Sequence, residues 1–131
     1  MIRFNVAARK ITLECWPRGV DVTSADAEQY PGWPITIDQL DNYGRQATAW
    51  LPTVQVEGME DPVLQVVDET YGEVVYTLRI RGNRFQPKVF RDGIYTLRIG
   101  EQPDRMEEFS GLRATSPNDQ VLHVPLGAAD R

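Results

Sequence analysis

The sequence predicts an all-β protein, an immunoglobulin-like antiparallel β-sandwich of about seven strands with one long irregular N-terminal loop. Three observations carry that expectation. Apolar residues recur with period two along the first hundred positions, the pattern of strands that bury one face. Gly, Pro, Asn and Asp interrupt the chain at short intervals, as turns between short strands require. No segment of helical length sustains a 3.6-residue period. At 131 residues, 41% hydrophobic and 25% charged, the chain can bury one core and is too apolar for wholesale disorder.

The elements follow in order. Met1 to Val6 reads as a strand and not as a signal peptide, because no basic region precedes an apolar one. Ile11, Leu13 and Cys15 alternate with Thr12, Glu14 and Trp16, which suits a half-buried strand. The stretch 21–44 is expected to be a long irregular loop. Gln46 to Val56 is extended but broken by Pro52, which cannot donate to a ladder, so two short strands or a broken edge are expected. Pro62 to Val67 is β-branched and apolar, and 69–72 (Glu-Thr-Tyr-Gly) supplies a turn.

Val74, Tyr76, Leu78 and Ile80 then alternate with Val75, Thr77, Arg79 and Arg81, giving the clearest strand. Gly82-Asn83 ends it, and Phe85 to Val89 begins the next segment. Asp92-Gly93 is a hairpin signal, followed by Tyr95, Leu97 and Ile99 against Ile94, Thr96 and Arg98. Tyr76, Leu78, Ile80, Leu97 and Ile99 are therefore expected inside, with Arg79 and Arg98 outside. Pro103 to Phe109 is the best short helix candidate, with Met106 and Phe109 three apart. Val121 to Leu126 is a last strand, followed by a frayed end. The sandwich is placed at 1–101, and 102–131 is read as a partly irregular C-terminal extension.

Fourteen basic against nineteen acidic residues leave a net charge of −5, which opposes nucleic acid as a partner. No apolar run approaches the ~20 residues of a membrane-spanning helix, so membrane insertion is not expected. A catalytic triad needs a positioned histidine, and the chain has one, His123, with no Gly-x-Ser-x-Gly elbow. Cys15, the single cysteine, lies on an apolar alternation and reads as an inert small hydrophobe. No glycine-rich phosphate loop is present. No catalytic residue and no cofactor is expected.

Two clusters remain. Asp38, Asp41 and Asn42 offer oxygen ligands for calcium, but their spacing is not that of an EF-hand loop, and a turn with Asx–backbone bonds explains them as well. Trp16, Tyr30, Trp33 and Tyr43 lie among prolines within residues 16–45. Their rings suit a glycan, a cell-surface polymer or a protein partner. The preferred alternative is that they pack the long loop against the sandwich.

Ile11-Thr-Leu-Glu-Cys-Trp-Pro-Arg18, Tyr30-Pro-Gly-Trp-Pro34 and Asp41-Asn-Tyr-Gly-Arg45 together resemble a known family region. It is the segment after the catalytic domain of secreted bacterial metallophosphoesterases of the alkaline phosphatase D type. Asp61 to Asp68, Glu73 to Leu78 and Gly93 to Leu97 fit the same region, so the similarity spans residues 1 to about 101. The family's dinuclear metal ligands belong to the preceding domain, and none carries over. The resemblance implies a non-catalytic accessory module of a larger exported hydrolase, periplasmic or extracellular, whose partner is the preceding catalytic domain or another protein surface. The alternative is a glycan-binding module using the aromatic loop.

Overall fold

The computed structural model describes residues 1–101 and 105–127. The chain divides into two compact units, Met1–Gly44 and Arg45–Arg131. The first holds strands β1 (Ile2–Asn5), β2 (Lys10–Leu13) and β3 (Ile35–Asp38) in one antiparallel sheet ordered β1-β2-β3. The stretch expected to be wholly irregular thus contributes β3 and one 3-10 turn, Gln39–Asp41. Four residues directly after Pro34 are too few to announce a strand by alternation.

The second unit holds β4 (Ala49–Trp50), β5 (Thr53–Glu57), β6 (Val63–Asp68), β7 (Glu73–Arg79), β8 (Arg84–Phe85), β9 (Lys88–Val89), β10 (Ile94–Glu101), β11 (Arg105–Arg113) and β12 (Val121–Pro125). Its sheets are ordered β11-β10-β6-β7, β12-β5-β8 and β4-β9. Ladders are antiparallel except β12 against β5, which is parallel. Among the described residues no barrel closes, and the all-β sandwich class expected from the sequence is the class observed. As expected, the break at Pro52 separates β4 from β5.

Register explains the core. Leu64, Val66 and Asp68 of β6 stand opposite Ile99, Leu97 and Tyr95 of β10, and these side chains share one face. Val54 and Val56 of β5 stand beside Leu122 and Val124 of β12. The buried members form one cluster with Leu51, Ile80, Val89 and Leu126. The opposite face of the four-stranded sheet is polar. Arg98 donates to Gln65 Oε1 at 3.0 Å and to Glu108 Oε2 at 2.7 Å, and Gln65 donates to Thr77 Oγ1 at 3.0 Å. Ile80, Leu97 and Ile99 are fully buried, Tyr76 and Leu78 partly so because β7 is an edge, and Arg79 is exposed.

Several expectations need correction. The helix candidate at 103–109 falls partly outside the described residues, and from Arg105 onward it is strand β11, paired with β10. A register shift between Tyr95 and Leu97 sets Leu112 and Phe109 on the same inward face. Such a bulge hides the period of two from a sequence reading. Gly111, at φ +70°, sits in it, and Glu69 Oε1 accepts from its N–H at 2.7 Å and from Thr96 Oγ1 at 2.8 Å. The sheet therefore continues across the division expected at residue 101.

A second shift, between Val66 and Val67, throws Val74 outward, where it is half exposed, although the alternation grouped it with Tyr76. Asp92-Gly93 is not a hairpin. β9 before it pairs with β4, and β10 after it pairs with β6 and β11, so this turn moves the chain between sheets. The last strand ends at Pro125, one residue earlier than expected, and Leu126 after it is buried. Arg105 holds that end of β12 by donating to the carbonyl oxygens of Gly58, Leu126 and Gly127 at 2.8, 2.9 and 2.8 Å.

Candidate functional site

The N-terminal sheet is sorted by side chain with unusual completeness. Ile2, Leu13 and Ile35 form one row across its three strands, and Phe4, Ile11 and Ile37 form another. Because partners in register share a face and positions two apart return to it, all six lie on one side. Arg3, Thr12 and Thr36, with Asn5, Lys10 and Asp38, take the other side. The Thr12 and Thr36 hydroxyls stand 3.1 Å apart.

Ile2, Phe4, Ile11 and Ile35 on the apolar side are exposed, and Leu13 and Ile37 are half-buried. Phe4 is 70% exposed, and Val6, in the turn after β1, is 86% exposed. Phe4, Val6 and Ile11, with Arg9, Lys10 and Gln39, line a concavity of about 400 Å³. Of the large apolar side chains that the described residues expose, only Tyr71, Val74 and Val121 lie outside Met1–Gly44. No residue of Met1–Gly44 reaches the buried class. Contiguous apolar surface of this kind marks an interaction face more often than it marks chance exposure.

The four rings singled out from the sequence are not equivalent. Trp16 is half-buried, and its indole N–H donates to Glu14 Oε2 at 3.0 Å. Arg3 holds that same carboxylate below its ordinary range, with a smaller contribution from Trp16 that together outweighs desolvation. Tyr43 is also half-buried, whereas Tyr30 and Trp33 are exposed. Cys15 lies beyond the end of β2 and is half-buried. Its N–H donates to Gln29 Oε1 at 3.0 Å, and its carbonyl accepts from Tyr30 at 2.9 Å.

Asp38 caps the 3-10 turn, accepting from the Leu40 N–H at 2.9 Å, and Asn42 follows that turn. Among the described residues no group of three His, Cys, Asp or Glu side chains gathers to hold a metal. His123 is exposed on β12, on the face away from Val124. No helix among the described residues is long and apolar enough to cross a membrane.

Sequence reasoning missed a charged cluster in the second unit. Asp68 occupies an inward position after Leu64 and Val66, and it is buried. An aspartate at a core-facing register was the available signal, because buried carboxylates are found with partners. Arg91 supplies the partner, donating from Nε at 2.7 Å and also from Nη2 to Oδ2, while Oδ1 accepts from the Thr70 N–H at 2.9 Å. Burial pushes the Asp68 carboxyl up. The hydrogen bonds from Arg91 and from the Thr70 and Tyr71 backbone outweigh it and hold the group below the usual aspartate range.

The Arg91 guanidinium stacks over Tyr71 at 4.1 Å, and the Tyr95 hydroxyl donates to the Arg91 carbonyl at 2.8 Å. The cluster thereby ties the β6–β7 turn to the segment before β10, and beside it lies a cleft of about 260 Å³. Compared with known proteins, the chain matches no family model, no curated protein and no solved structure.

Proposed function

We propose that this chain is a non-catalytic accessory module of a larger exported hydrolase of the phosphoesterase type, working in the periplasm or outside the cell. In this reading the N-terminal sheet docks its apolar face on a protein surface, that of the hydrolase domain. The observation that carries it is the one-sided sheet, with Ile2, Phe4, Ile11 and Ile35 exposed on a single face. A sheet buries its apolar face against a second layer. The six strand positions of that face are all uncharged, and Arg9 and Lys10 border it. The resemblance of 11–18, 30–34 and 41–45 to the segment following a metallophosphoesterase domain supports reading that surface as the hydrolase domain.

The test joins the chain to the C-terminus of an alkaline phosphatase D-type metallophosphoesterase domain, the partner that this reading calls for. Phe4→Asp with Ile11→Asp should lower the melting temperature of the joined protein and leave that of the separate chain nearly unchanged. The separate chain should not hydrolyse phosphate mono- or diesters above background with Mn²⁺, Zn²⁺, Fe³⁺ or Ca²⁺. Turnover that one carboxylate substitution abolishes would overturn the reading.

A further inference from the structure

We propose that the cleft beside Asp68 and Arg91 in the Arg45–Arg131 unit is a subsite for one ring of a neutral saccharide. Its wall is the first reason. This unit exposes three large apolar side chains among its described residues, Tyr71, Val74 and Val121. Tyr71, 64% exposed, and Val74, 52% exposed, both line the cleft, as does the half-buried Phe90. Single exposed hydrophobes scatter over ordinary surfaces, whereas apolar side chains gathered at a concavity mark ligand sites.

Charge selects the ligand class. Arg91 is committed to Asp68. That leaves Arg45 and Glu73 as the lining charges with no ion pair among the described residues, and Arg45 is stacked over Phe90 at 4.0 Å. An anionic ligand, a nucleotide included, meets Glu73 as a like charge, and a cationic one meets Arg45. A neutral ligand carrying both donors and acceptors satisfies both, since guanidinium only donates and carboxylate only accepts. A pyranose carries such hydroxyls, together with a C–H face for an aromatic wall. The two arginine–aromatic stacks hold these groups in place before binding, which lowers the ordering cost. At about 260 Å³ the cleft falls below the roughly 300–1,000 Å³ of drug-sized pockets, so it takes one ring and not an oligomer.

The experiment titrates the whole chain with cellohexaose, laminarihexaose and mannohexaose, using oligogalacturonate and hexameric chitosan as charged controls, and follows backbone amide resonances. Saturable shifts should centre on Tyr71, Glu73 and Arg91 with at least one neutral oligosaccharide. Tyr71→Ala and Arg45→Ala should each weaken Kd about tenfold, while Val121→Ala, outside the cleft, leaves it unchanged. Arg45→Ala should keep the wild-type melting temperature, so it decides the matter if Tyr71→Ala folds poorly. No saturable binding to any of the three neutral probes, tighter binding of a charged control, or an unchanged Kd in Arg45→Ala would each overturn the proposal.

Discussion

The two units use the same code to different ends. In Arg45–Arg131, the inward residues of β6 and β10 meet those of β5 and β12 and vanish from solvent. In Met1–Gly44, an equally strict alternation puts Ile2, Phe4, Ile11 and Ile35 on one face and leaves them in water. Alternation therefore specifies a face, and only a second layer converts that face into a core. Burial is worth about 25 cal/mol per Å² of apolar surface removed from water, so the second unit gains what the first leaves unused. Polar satisfaction differs in the same direction. Asp68 in the second unit is closed in by Arg91, Thr70 and Tyr71, whereas Arg3 and Glu14 of the first pair across a sheet whose Arg3 side chain is largely exposed.

The sharpest way to break this comparison is to empty one site on each face. Leu97→Ala should destabilise the chain by about 2–5 kcal/mol, the range for a fully buried leucine, measured by urea unfolding. A loss under about 1 kcal/mol would mean that β10 does not organise the core.

Asp68 gives a smaller and pH-dependent effect. Its carboxyl lies below the ordinary aspartate range in the folded chain, so its contribution is fully present above the unfolded value of about 3.9. It fades as pH falls through the lower folded value. Asp68→Asn should accordingly flatten the acid limb of the stability curve below about pH 4. It should also destabilise at neutral pH, because Arg91 loses its charged acceptor. An acid limb that keeps its wild-type slope would show that other carboxylates set it.

The smallest change is expected on the first unit. Ile11→Ser should stay within about 0.5 kcal/mol in the separate chain, as for surface substitutions generally, with melting followed by circular dichroism. A loss comparable to that of Leu97→Ala would show that the N-terminal face is covered in solution, and the contrast between the units would collapse.

Much of the fold was legible because strands announce themselves by composition and turns by their special residues. The break at Pro52, the turn at 69–72 and the inward set Ile80, Leu97 and Ile99 all came from local rules. The failures share a cause. At Val74 and at 109–112 a bulge inserts one residue, and the same side-chain string then reads as a lost period or a helix. The candidate sites were less legible still. The rings at 16–45 stand out in the sequence as large side chains, yet Trp16 uses its polar tip on Glu14. The apolar face of the N-terminal sheet needed β3 to be recognised before it could be seen.

By itself the sequence determined the class of the protein, because period two, frequent turns and the lack of a helical period are properties of neighbouring residues. It also determined that Leu97 and Ile99 share a face. Which strands pair was decided only by the tertiary structure. Asp92-Gly93 encodes a reversal of direction without naming a partner, and β12 joins β5 in parallel from 68 positions away (Val121 beside Thr53). The pairing of Asp68 with Arg91, 23 residues apart, is of the same kind. Local chemistry acts over a few bonds, whereas sheet order and buried ion pairs depend on which faces close over one another once the chain has folded.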